Sequence, residues 1–205
     1  MNRSYLEKIF SAERMQKYFA LRPGDEPKSI LHYQCNIQVS EALYPVISVM
    51  EVALRNSVNR ELTIKFNGPD WYNHFSTTPG LNNLVKEIST AQYQITMRHE
   101  LVTPSKIVAE LTLGFWVRLF NAEYERVLWK DLRRAFPYLQ KIDRQRHKVS
   151  APLNNFRNIR NRIFHNEPIC WNFSRLVGWE DVYLREVRRG AGLLSRRIGV
   201  NSGSY

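Results

Sequence analysis

Residues 160–168 read RNRIFHNEP, which places Arg160, Asn161, Arg162 and His165 within six residues of one another. Histidine is the side chain that carries protons near neutral pH. Arginine keeps its charge and presents a planar fork that matches two phosphate oxygens. Together they supply what RNA cleavage without a metal requires: a proton carrier for the 2′-hydroxyl or the leaving oxygen, and a fixed cation for the charge growing on phosphorus. The plainer reading is a solvated basic face of Arg157, Arg160 and Arg162, with His165 capping the end of the helix. Spacing alone leaves both open.

The segment predicts a helix that ends just before Pro168. At 100° per residue Asn161 and His165 are neighbours one turn apart, whereas Arg160 and His165 lie about 140° apart around the axis. These two can converge only through arginine's reach, through loosening of the last turn, or by meeting the same elements of a second subunit, which makes a dimer a natural expectation. Other chemistries lack their signatures: the chain has no GxxxxGK[ST], GxGxxG, HExxH or GxSxG. Cys35 and Cys170 are the only cysteines and have no histidine at zinc-type spacing, so neither a metal nor a cofactor is expected.

Thirty Lys and Arg against 19 Asp and Glu give a net charge of +11 and a pI near 9.9, which favours a polyanionic partner, with nucleic acid first. Hydrophobic residues at 43% and aromatics at 12%, over 205 residues, predict one folded domain with a single core. The start, MNRSYLEKIF, carries charge where a signal peptide needs an apolar run. The longest apolar run, Ala42 to Leu54, contains Pro45 and Glu51 and falls short of the ~20 residues of a membrane span. A cytoplasmic protein with no membrane association is expected.

Helical spacing accounts for most of the chain. Ser4 and Glu7 suggest a capping box ahead of one or two short helices, and LRPGDEPK, residues 21–28, reads as a loop. Residues 29–65 lack glycine and repeat apolar side chains at threes and fours, predicting one long helix or a pair kinked at Pro45. Residues 67–82 read as an irregular, mobile and partly aromatic loop. Helices follow over 84–101, from Thr103-Pro104 through Phe120 with Gly114 admitting a close neighbour, over 122–136, and over 151–166 with Ser150 as cap. A last helix over 173–198 and a frayed 199–205 tail complete an all-α reading, with the domain core over about 11–185.

Four segments in order resemble the Abi-like proteins of bacterial abortive infection, a branch of the HEPN superfamily: SAERMQKYF at 11–19, SEALYPVISVMEVALRNSVNREL at 40–62, VAELTLGFWVRLF at 108–120 and NNFRNIRNRIFHNEPI at 154–169. The resemblance implies a HEPN-type helical bundle, commonly dimeric, and a metal-independent ribonuclease with an R-polar-x3-H motif. Matched residue by residue, the motif is Arg160, Asn161 and His165, with Asn161 orienting the histidine. It implies 2′-hydroxyl attack leaving a 2′,3′-cyclic phosphate, an active site near the dimer interface, and RNA as partner, with an antitoxin as a further one. Glu51, Arg55 and Asn56 match the family's second polar signature. They are expected either to form a simple Glu51–Arg55 pair along the helix or to hold Arg160 or His165, or phosphate. Arg157 is expected to support RNA binding, and Glu167 to pair with an arginine or stay solvated. Glu167 also replaces the tyrosine through which partner enzymes silence some HEPN toxins, so that control is not implied. Trp116 and Phe115 read as core. The alternative is a HEPN module that binds RNA or a protein without cleaving.

Overall fold

The computed structural model describes residues 3–169, and among these every regular element is helical, so the fold class is all-α. The expected 173–198 helix, the 199–205 tail and Cys170 lie outside the described residues. Two short helices, α1 (Arg3–Phe10) and α2 (Ala12–Leu21), precede a 41-residue helix, α3 (Glu26–Phe66). Ser4 lies inside α1 instead of capping it, and Glu7 bonds Arg3 Nε at 2.7 Å. Ser11, with its side chain accepting from the Arg14 amide, caps α2.

Helix α3 begins earlier than its apolar repeat suggests. Asp25 caps it by accepting the Lys28 amide at 3.0 Å, so the last three residues of the expected 21–28 loop are helix. It runs unbroken through Pro45, about 60 Å at 1.5 Å per residue, and stops at left-handed Asn67. Ile47, Met50, Leu54, Val58 and Leu62, spaced three and four apart, bury one stripe in the main core. Nearer its start, Tyr33 packs with Leu6, Met15, Tyr18 and Phe19 in a second, separate cluster, so one helix serves two cores where a single core was expected. Long runs of its other face, including Tyr44, Val46, Val49 and Val52, stay exposed. The helix is long and apolar enough to cross a membrane by length and composition, a test that the run from Ala42 to Leu54 alone does not meet.

The 67–82 segment is packed. Two short 3-10 turns, Trp71–Ser76 and Asn82–Leu84, bury Trp71, Tyr72, Phe75 and Leu84, Leu81 between them is buried too, and Asn59 Oδ1 accepts the Trp71 indole N–H at 2.8 Å. Aromatic content therefore marks core here, against the expected mobile loop. Helix α4 (Val85–Met97) follows and buries Ile88, Ala91 and Ile95.

The expected single helix through IVAELTLGFWVRLF is two: α5 (Pro104–Glu110), capped by Thr103 as its sequence predicts, and α6 (Leu113–Arg118). Leu111 is extended at ψ 129°, and Thr112 accepts the Phe115 amide at 3.3 Å, so a second cap restarts the chain. Gly114 admits no close neighbour, since a Cβ there would meet only Thr112 Oγ1 at 3.4 Å. Residues 122–136 likewise form no single helix; 3-10 turns flank a π turn (Glu125–Trp129) and the brief α7 (Lys130–Leu132). A charged chain fixes this stretch to α3: Lys65 pairs with Asp131 at 2.8 Å, and Arg134 bridges Asp131 and the buried Glu61. Helix α8 (Arg146–Phe164) starts five residues before the expected 151, leaving Ser150 buried within it rather than at its cap.

Candidate functional site

Three elements enclose a cleft of about 440 Å³. Ser48, Glu51, Val52 and Arg55 of α3 line one wall at positions i, i+3, i+4 and i+7, the spacing of one helical face. Arg157, Arg160 and Asn161 of α8 line the other at i, i+3 and i+4. The α5–α6 junction, Ala109 to Gly114 with Trp116, supplies the third side. That junction reaches the cleft because Thr112 breaks the chain between two short helices, and α6 packs on both α3 and α8.

Glu51 does not pair with Arg55 along its own helix. Its Oε1 accepts Arg160 Nε at 2.5 Å, joining residues 109 apart in sequence. The Arg160 guanidinium also lies 4.0 Å over the Phe164 ring, which stacks on Tyr44 at 4.6 Å. Charge and ring together hold this arginine between α3 and α8. Asn161 Oδ1 accepts a weak bond from Arg160 at 3.4 Å, so it braces the arginine and not, as expected, the histidine.

Arg55 and Arg157 are different. Neither forms an ion pair or side-chain hydrogen bond among the described residues, and Arg55 Nε is buried without an acceptor. Glu110, also on the cleft, is taken by Arg98 through bonds of 3.1 and 2.5 Å. Those hydrogen bonds to Arg98 hold its carboxyl below the usual carboxylate range. Three guanidinium groups thus face a cleft in which Glu51 answers only Arg160 and Glu110 is taken by Arg98. The arrangement can bind an anion.

His165 lies outside this cleft. Its backbone amide closes the helix on the Asn161 carbonyl at 2.9 Å, its side chain is exposed, and Asn166 turns the chain away in the left-handed region. The α8 face that continues from Arg157 and Arg160 is filled one turn on by Phe164, so Arg160 and His165 are not brought together within one chain. Asn56 is exposed and away from the cleft. Glu167 approaches Arg162, Oε2 to Nε 3.5 Å, while its carbonyl accepts from Asn36, whose Oδ1 takes the Ile169 amide at 2.7 Å. The buried Asn36 of α3 therefore anchors the chain that follows the histidine.

Sequence reading missed Phe164, Tyr44, Glu110 and Asn36. Phe164 had a usable signal, four residues after Arg160 on the same face. Asn36 and Glu110 had none, since their roles arise from elements distant in sequence. Compared with family models, with curated proteins and with solved structures, the chain matches none.

Proposed function

We propose that the chain is a metal-independent RNA endonuclease of the HEPN type, acting as a toxin in bacterial abortive infection or phage defence. The resemblance of its four segments to Abi-like proteins motivates this reading, and the observation that carries it is Arg160 set in an arginine-lined cleft with two further guanidinium groups unpaired. In the reaction the RNA 2′-oxygen attacks the adjacent phosphorus and the bond from phosphorus to the 5′-oxygen breaks. His165 takes the 2′-hydroxyl proton or delivers one to the 5′-oxygen, and Arg160 stabilises the charge that builds on the phosphate. The products are a 2′,3′-cyclic phosphate and a 5′-hydroxyl. Asn161 and Glu51 act by positioning Arg160.

The exposed His165 gives the homodimer its role, because a second copy or a strand laid over Phe164 must bridge from histidine to arginine. An antitoxin partner and a cytoplasmic setting go with this reading. It is tested by incubating the purified protein with mixed RNAs in EDTA and sequencing the ends. Cyclic-phosphate ends from wild type, absent with His165→Ala or Arg160→Ala of unchanged thermal stability, are expected; full cleavage by the His165→Ala protein refutes it. A second reading, a HEPN module that binds RNA or a protein without cleaving, is favoured by the same placement of His165 outside the cleft. Salt-dependent RNA binding without new ends would select it.

A further inference from the structure

We infer that Arg55 and Arg157 form an anion subsite beside Arg160, and that its occupant is the phosphodiester next to the one held at Arg160 on a single strand of RNA. Arg55 projects from α3 and Arg157 from α8, so two guanidinium groups meet across one cleft from opposite walls. Neither has a protein anion among the described residues, and a buried guanidinium nitrogen without an acceptor is a standing cost that a ligand oxygen removes. The nearby carboxylates are committed: Glu51 to Arg160 and Glu110 to Arg98. Arginine suits this better than lysine, since its fork can grip two oxygens of one phosphate.

The subsite belongs with Arg160. Arg157 and Arg160 are one turn apart on the same face, about 5–6 Å between Cβ atoms. That is comparable with the step between successive phosphates of an extended strand, so a strand running along α8 meets the two arginines in turn. Val52, exposed on the same cleft, leaves apolar surface for a ribose or a base. A strand, rather than a free anion, uses all of these features at once. The identity of the strand as RNA rests on the proposed nuclease reading; the anion subsite itself rests on the arginine geometry alone.

The test is binding, with cleavage measured separately. A labelled 2′-O-methyl oligoribonucleotide, which lacks the attacking hydroxyl, is titrated by fluorescence anisotropy over a range of salt against full-length wild type and Arg157→Gln. Arg55→Gln, Arg157→Lys and, as a control on the exposed surface, Arg133→Gln are titrated in the same way. We expect Arg157→Gln to weaken binding about tenfold at moderate salt and to lower the slope of log affinity against log salt by about 0.7, the value for one phosphate contact on a single strand. Arg157→Lys should keep most of the slope and lose part of the affinity, and Arg133→Gln should change neither.

Equal loss in Arg133→Gln means a diffuse basic surface and overturns the subsite, as does unchanged binding by a folded Arg157→Gln protein. Thermal unfolding with inorganic phosphate provides the other arm: an Arg157→Gln protein that loses phosphate stabilisation but keeps full oligonucleotide affinity places a free anion there and overturns the strand assignment. Cleavage separates the two ideas. Wild type that never cleaves RNA, with the binding pattern intact, removes the nuclease reading and leaves the subsite standing. Normal cleavage with no binding difference removes the subsite alone.

Discussion

Replacing Glu51 by Gln tests whether the cleft is held in check by its own carboxylate. In the free protein Glu51 occupies Arg160 as a phosphate would, with both side chains about three-quarters buried at 27% and 28% exposure. Losing such a partly exposed pair costs stability of about 0.5–1 kcal/mol, and the amide retains an oxygen able to accept from Arg160 Nε. Binding should move the other way. Two like charges about 4 Å apart repel by about 1 kcal/mol in water and about 4 kcal/mol at an effective dielectric of 20, and an open cleft lies toward the first figure. Removing the carboxylate should therefore tighten RNA binding by about 1.4 kcal/mol, roughly tenfold, with the gain shrinking as salt rises.

Cleavage by the same variant should be slower, because an arginine no longer held by a charged carboxylate is oriented only by a neutral amide, the weak bond to Asn161 and the Phe164 ring. Tighter binding with slower turnover is the signature of a positioning residue. The assay pairs oligonucleotide anisotropy with cleavage rates, and thermal unfolding confirms that the protein remains folded. Glu110→Gln is the comparison, since its charge is already met by Arg98 and its removal should change affinity much less. An E51Q protein that binds RNA no more tightly than wild type at low salt would show that Glu51 does not compete with substrate, and the reasoning would be wrong.

Other expectations are more local. Asn36→Ala removes the acceptor for the Ile169 amide and the donor to the Glu167 carbonyl, so stability should fall by about 1–3 kcal/mol, with faster hydrogen exchange at Ile169 as the readout. Thr112→Val deletes the cap that starts α6 and should cost about 1 kcal/mol in chemical denaturation while weakening oligonucleotide binding, because α6 carries one side of the cleft. Hydrogen bonds from Arg98 depress the Glu110 carboxyl in the folded state, so the stability it contributes is present above the ordinary carboxylate pKa and is lost as pH falls through the depressed value. Arg98→Met should accordingly unfold at higher pH than wild type on the acid side, measured by circular dichroism. If active sites are shared between copies, mixing inactive Arg160→Ala and His165→Ala proteins should restore part of the cleavage, whereas a site complete within one chain predicts none.

How far the sequence is legible depends on the range of the interaction concerned. The stripe Ile47, Met50, Leu54, Val58, Leu62 announces α3, and Thr103-Pro104 announces α5, because spacing and capping are local. The break at Leu111 is also local, yet the apolar run through residues 107–120 conceals it: hydrophobicity on all sides reads as one buried helix, and Thr112 is the one polar side chain that marks the restart. Residues 67–82 misled in the opposite direction, since Gly, Pro and Asn signal turns without saying whether the aromatic residues between them are buried. Their burial depends on α3, α4 and α6 supplying the surrounding surface.

The same distinction explains why RNRIFH gave half of a site. Periodicity correctly separates Arg160 from His165 on a helix that stays regular to Phe164, because an angular offset follows from the backbone alone. What periodicity cannot supply is the partner that each residue meets. Arg160 meets Glu51 across 109 residues of sequence, and its neighbours in charge, Arg55 and Arg157, come from walls that only the fold brings together. Composition reported an excess of positive charge, and the fold determines where that charge goes unanswered. Several arginines outside the cleft have a carboxylate to meet, as Arg98, Arg134 and Arg146 do, so net charge alone marks no site. Arg55 and Arg157, like several surface arginines, have none among the described residues, but these two share one cleft with Arg160, the residue that the sequence motif singles out. That coincidence of motif and unmatched charge ties the RNA reading to this cleft rather than to the basic surface at large.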